Sequence, residues 1–78
     1  MDYLNRIRSL REDNDYSQED IASYLHSYLH IGQRTYSDYE RGKTRIPLDS
    51  MIMLAEFYNV DMNYICCLTD QKNKFPEK

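Results

Sequence analysis

Glycine and proline are scarce in this chain, two of each in 78 residues, and tryptophan is absent. A turn-rich β fold needs more turn formers than that, so the expectation is helices joined by short connections. No stretch approaches the ~18 consecutive apolar residues of a membrane helix. The opening MDYLNRIRSLRED lacks both an apolar h-region and a small-residue cleavage site, which speaks against a signal peptide and for a cytoplasmic protein. Cysteine is confined to Cys66 and Cys67. Sequence neighbours rarely pair with each other, and no further thiol exists for a disulfide framework or a zinc knuckle. Both thiols are expected to be reduced and structural.

Positive charge is also short, with 10 Lys and Arg against 13 Asp and Glu and a net charge of −3. That sum is unfavourable for a nucleic-acid partner, but its distribution is uneven. Glu12, Asp13, Asp15, Glu19 and Asp20 crowd one stretch, whereas Arg34, Arg41, Lys43 and Arg45 dominate 33–45 over Asp38 and Glu40. A locally basic surface on an acidic chain is consistent with both facts. The hydrophobic share of 41% supports one small core and leaves no room for a second domain or a deep substrate cleft. An enzyme, a cofactor and a small-molecule substrate are therefore not expected.

Apolar spacing places five helices. Tyr3, Ile7 and Leu10, with Leu4 beside them, predict a first helix from about Asp2 to Asp13. Ser17 is an N-cap with Asp20 three residues on, an acidic variant of the capping box. Ile21, Leu25 and Leu29 carry that second helix forward. Ile31-Gly32 makes a turn, and Gln33 to Glu40 forms a short third helix closed by Gly42. One side of it holds Tyr36 and Tyr39; the other holds Arg34, Ser37, Asp38 and Arg41. Pro47 opens a fourth helix through Leu48, Met51, Ile52, Ala55 and Tyr58. Asp61 caps a fifth, from Met62 to Leu68. Residues 70–78 are polar, contain Pro76, and are expected to fray. The fold class is a compact all-α, five-helix domain over 1–69 with a C-terminal tail.

These residues resemble a known family. Tyr16-Ser17-Gln18-Glu19-Asp20-Ile21-Ala22 and then Gln33-Arg34-Thr35-Tyr36-Ser37-Asp38-Tyr39-Glu40-Arg41-Gly42-Lys43 are similar to the helix-turn-helix of lambda repressor and Cro-type (XRE-like) regulators. Ile46-Pro47, Leu54-Ala55 and Tyr64-Ile65 resemble the remaining helices, so the likeness spans about residues 3–69. The resemblance implies double-stranded DNA as partner, read by a recognition helix in the major groove. By position it assigns Gln33, Arg34, Ser37 and Asp38 to base edges. The chemistry suits them: Gln pairs with adenine, Arg with guanine, and Asp accepts from cytosine N4. It assigns Gln18, Arg41, Lys43 and Arg45 to phosphates, and Arg11 with Glu40 to a structural ion pair between the first and third helices.

One feature departs from the family. Ser23-Tyr24-Leu25-His26 is followed at once by an identical Ser27-Tyr28-Leu29-His30, four residues more than the family spacing between Ala22 and Gln33. Internal duplication is the favoured explanation. Four residues lengthen a helix by ~6 Å and rotate it only ~40° past a full turn, so the apolar stripe is nearly kept. Three outcomes are open: a lengthened helix that shifts the recognition helix, a looped-out segment, or exchange of helices between two chains. The first is favoured, with Gln18 and Gln33 then unable to dock together in the family manner. His26 and His30 stand at the i, i+4 spacing that can hold a metal. The duplication creates that spacing automatically and no third ligand is near in sequence, so no metal site is expected.

Two functions follow. One is a sequence-specific, Cro-like minimal DNA-binding regulator acting as a homodimer. The other is a helical interaction or domain-swapped module whose DNA binding the duplication has weakened.

Overall fold

Local signals set each helix boundary in the computed structural model, which describes residues 3–76. The order is α1 (Tyr3–Asp13), α2 (Gln18–Leu29), α3 (Gln33–Glu40), α4 (Leu48–Tyr58) and α5 (Met62–Ile65), with no strand among the described residues. The expected start at Asp2 and the last two tail residues lie outside the described residues. At the head of α2 the Ser17 hydroxyl accepts from the Asp20 amide and the Asp20 carboxylate accepts from the Ser17 amide, at 3.0 and 2.9 Å. That reciprocal box satisfies two donors the helix cannot satisfy itself. Asp61 caps α5 by accepting from the Tyr64 amide at 2.8 Å.

Gly42 ends α3 for two reasons. Its φ of +76° lies in the left-handed region, and a Cβ there would stand 3.2 Å from Leu4 Cδ1. The Gly42 amide donates to Tyr39 O and the Lys43 amide to Asp38 O, the paired bonds of a Schellman motif.

Ile7 and Leu10 from α1, Ile21, Ala22 and Leu25 from α2, and Tyr36 and Tyr39 from α3 form one side of the core. Met51, Leu54 and Ala55 from α4, Val60 from the connector and Ile65 from α5 form the other. Leu48 stands 69% exposed, because the buried stripe of α4 centres on Leu54 and leaves the first residue of the helix outside it. The fifth helix stops three residues short of its expected end. Cys67 takes a left-handed φ of 62°, the chain turns away, and Leu68 is left 74% exposed. Cys66 is half-buried and Cys67 buried, both as free thiols, and burial pushes the Cys66 thiol above its ordinary value.

The described part of the tail returns to the domain at a few points. Arg6 donates to the carbonyls of Tyr64 and Thr69 at 2.9 and 2.8 Å and pairs with Asp70 at 3.0 Å. The Asp61 amide donates to Asn73 O, and Phe75 packs half-buried against the core. Polar composition concealed this return, since Arg6 lies more than sixty residues from Thr69 and Asp70 in sequence.

Apart from its last residue, the C-cap His30, the tandem repeat lies in α2, which runs unbroken to Leu29. The copies are not equivalent. Leu25 is fully buried and Tyr24 half-buried, whereas Leu29 is only half-buried and Tyr28 stands 69% exposed. The first copy fills the core; the second forms an overhanging turn. His30 then reverses the chain through the left-handed region at φ 57°, its amide donating to His26 O. The radius of gyration is 11.6 Å. A compact domain of this length is expected at about 11.5 Å, so the overhang does not project as an arm.

Leu25→Ala should therefore destabilise the protein by ~2–5 kcal/mol and Leu29→Ala by clearly less. Urea unfolding of both variants at unchanged m-value measures the difference. Equal losses would mean that the two copies exchange places in the core.

Candidate functional site

The polar residues of α3 and its neighbours divide into two groups, one turned inward and one left free, with Gln18 taking part in both. Glu40, the last residue of α3, is the centre of the inward group. Its side chain is 1% exposed and accepts from Arg11 Nε at 2.7 Å and Arg11 Nη2 at 3.1 Å, a two-point contact. The Tyr36 hydroxyl, one helical turn earlier, donates to the same carboxylate, and Gln18 Nε2 donates to it at 3.1 Å. Arg8 Nε stands at 4.0 Å. Burial alone would raise the Glu40 carboxyl, but the hydrogen bonds from Arg11, Tyr36 and Gln18 and the Arg11 charge outweigh it and hold the group below its usual value. Burial and the adjacent carboxylate push the Tyr36 phenol far up, so it stays protonated and donates. Arg11 also donates to Tyr16 O at 3.0 Å, fixing the connection into α2.

The free group faces solvent. Gln18, Gln33, Arg34, Ser37, Asp38, Arg41 and Lys43 line one open depression of about 410 Å³. Gln33, Arg34, Arg41 and Lys43 are exposed; Gln18, Ser37 and Asp38 are half-buried. Of these side chains only Gln18 bonds to the rest of the protein, within the described residues. Gly32 caps α3 without a side-chain hydrogen bond, so its first amides point outward with the positive end of the helix dipole. Arg45 is exposed but lies outside the depression. Such a surface offers donors from Gln, Arg and Lys, acceptors from Gln, Ser and Asp, and three cations against one carboxylate.

Gln18 and Gln33 line the same depression, with α2 running on to Leu29 between them. Gln33 lines a second depression with Glu19, Ala22, Ser23, His26, Ile31 and Gly32. The helix overshoots by one turn, and residues 30–32 bring the chain back beside it. His26 and His30 meet edge to face with ring centroids 5.7 Å apart, and no group of three or more metal-ligating side chains occurs among the described residues.

Sequence reasoning placed Tyr36 in the core stripe and missed its hydroxyl. It gave Gln18 an outward task and missed the bond to Glu40. The spacing of Tyr36 and Glu40, one turn apart, was the available signal for the first; nothing local signals the second.

Because the folded-state value of Glu40 lies below the ordinary 4.5, its stabilisation is complete above that pH and is lost as pH falls through the folded value. Arg11→Met should cost ~3–5 kcal/mol near pH 7, since it leaves a buried carboxylate short of its cation. It should also reverse the local slope: with burial dominant, Glu40 is raised in the folded state, and acidification from pH 7 then relieves the penalty. Urea unfolding of both proteins from neutral pH to well below 4.5 checks the sign. Parallel pH profiles would remove Arg11 as the cause of the lowered carboxyl.

The comparisons with known proteins fit this geometry. The chain is 32% identical over 76 residues to the uncharacterized HTH-type transcriptional regulator YobD of Bacillus subtilis (strain 168), covering 97% of this chain and 64% of that protein. It is 30% identical over 76 residues to the cryptic phage CTXphi transcriptional repressor RstR of Vibrio cholerae, covering 97% of this chain and 63% of the repressor. The chain thus spans somewhat under two thirds of the length of these relatives. No solved structure matches it. The helix-turn-helix family model matches residues 7–65, from the buried Ile7 of α1 to the buried Ile65 of α5. By that match the chain belongs to the helix-turn-helix family.

Proposed function

We propose that this protein is a sequence-specific DNA-binding transcriptional regulator that reads the major groove with α3. The observation that carries the reading is the convergence of seven polar side chains from α2, α3 and the following turn on one open depression. In this reading Gln33, Arg34, Ser37 and Asp38 meet base edges, and Gln18, Arg41, Lys43 and Arg45 meet phosphates. Glu40 and Arg11 stay inside and set the pose of α3. The two relatives, one described as a transcriptional regulator and one as a transcriptional repressor, support it. The net charge of −3 is no obstacle, because a few local cations at the contact surface govern phosphate binding. Pairing of two copies on a two-fold related site is the mode we infer for so small a reading surface.

Duplex selection followed by titration across a salt series tests the proposal. Affinity should fall with salt in proportion to the phosphates engaged. Arg34→Ala should cost ~1–3 kcal/mol and relax preference at one base position. An equal loss on every duplex would remove Arg34 from base reading. Lys43→Ala should weaken all duplexes alike and flatten the salt slope by about one unit. A loss confined to one sequence would speak against its phosphate role. A chain that selects no duplex at low salt would overturn the reading altogether.

A further inference from the structure

A second surface lies between α2 and α4 and shares no lining residue with the α3 depression. The overhanging turn of α2 creates it. Tyr28, 69% exposed, meets Tyr24 edge-on with centroids 5.8 Å apart, and Tyr24 packs on Phe57 at 4.6 Å. Phe57 in turn contacts Tyr16 at 5.0 Å, so the exposed ring stands at the end of an aromatic chain anchored in the domain. The Tyr24 hydroxyl donates to Met53 O at 3.4 Å across the two helices. Tyr24, Tyr28, Met53 and Glu56 line an open groove of about 260 Å³.

Charge selects the occupant. No Lys or Arg occurs between Arg11 and Arg34 or between Arg45 and Lys72, so α2 and α4 carry Glu19, Asp20, Asp49 and Glu56 and no formal cation. Asp20 lies one turn before Tyr24 on the same helix face, and Glu56 is close enough to help raise the Tyr24 phenol, after burial. We propose that this groove docks an amphipathic protein segment that presents Arg or Lys beside aliphatic side chains. The tyrosine faces accept the aliphatic stems and attract the cationic heads, and Glu56 pairs with them at the wall. Tyrosine supplies wide contact area at little entropic cost, which suits an interface. A second copy meeting groove to groove would set Glu56 against Glu56 with no cation on either helix, and DNA would meet the same repulsion.

The test is an NMR titration of the isotope-labelled chain with a helical Leu/Arg amphipathic peptide and with its Leu/Glu counterpart. The Leu/Arg peptide should shift resonances of Tyr24, Tyr28, Met53 and Glu56, and the Leu/Glu peptide should not bind. Tyr28→Ala removes an exposed ring without altering charge and should weaken binding by about tenfold or more. Glu56→Gln should weaken it too and reduce its salt dependence. Equal affinity of the Tyr28→Ala chain would show bulk attraction to an acidic protein and overturn the proposal. So would binding of the Leu/Glu peptide, or shifts centred on α3. Light scattering that shows the peptide-free chain doubling through Tyr28 would assign the groove to a second copy instead. No DNA enters these measurements, so their failure would leave the regulator reading untouched.

Discussion

One buried carboxylate organises this domain. Glu40 holds Arg11 from α1, Gln18 from α2 and Tyr36 from its own helix, with its side chain 1% exposed. An ionised carboxyl out of water is tolerated only when its oxygens are fully engaged, because the desolvation penalty is several kcal/mol. The directions of these bonds leave little freedom in how the three helices meet. With α3 held along its inner side by Glu40, Tyr36 and Tyr39, the side chains of Gln33, Arg34, Ser37 and Asp38 are left on the outer side without bonds to the rest of the described protein.

The two copies of the tandem repeat fare differently in this frame. A four-residue repeat keeps the helical face because it advances the helix by little more than one turn. Only one Tyr-Leu pair can occupy the core, and the one nearer the capped end of α2 does so. The surplus becomes an overhang, and a left-handed residue at His30 returns the chain to where α3 must begin. A non-glycine residue in that region costs ~1–2 kcal/mol. The α3 depression is assembled, and α2 carries an exposed aromatic turn.

Charge is segregated to match. The acidic excess resides on α2, α4 and the stretch before α2, while Arg34, Arg41, Lys43 and Arg45 surround the outer side of α3. The remaining cations mostly serve the fold or the tail: Arg6 stacks on the Tyr64 ring at 4.2 Å and ties the chain beyond α5 to α1. Net charge describes neither face. Each would be met by a partner of opposite sign.

Much of this was legible in the sequence. The capping box at Ser17 and Asp20, the cap at Asp61, Gly42 after α3 and the apolar periodicities determined the helices, because these signals act over a few residues. The polar outer side of α3 was equally local, as was the identity of the two repeat copies. What local pattern could not decide was every choice between equivalent neighbours or distant partners. Identical sequences left Leu25 fully buried and Leu29 half-buried, Tyr24 half-buried and Tyr28 exposed, because the rest of the domain offers its core at one height along α2. Arg6 found Thr69 and Asp70, and Gln18 found Glu40, through contacts between residues far apart in the chain. Short-range hydrogen bonding and hydrophobic spacing are written in sequence; which of two equal candidates is buried is settled by packing.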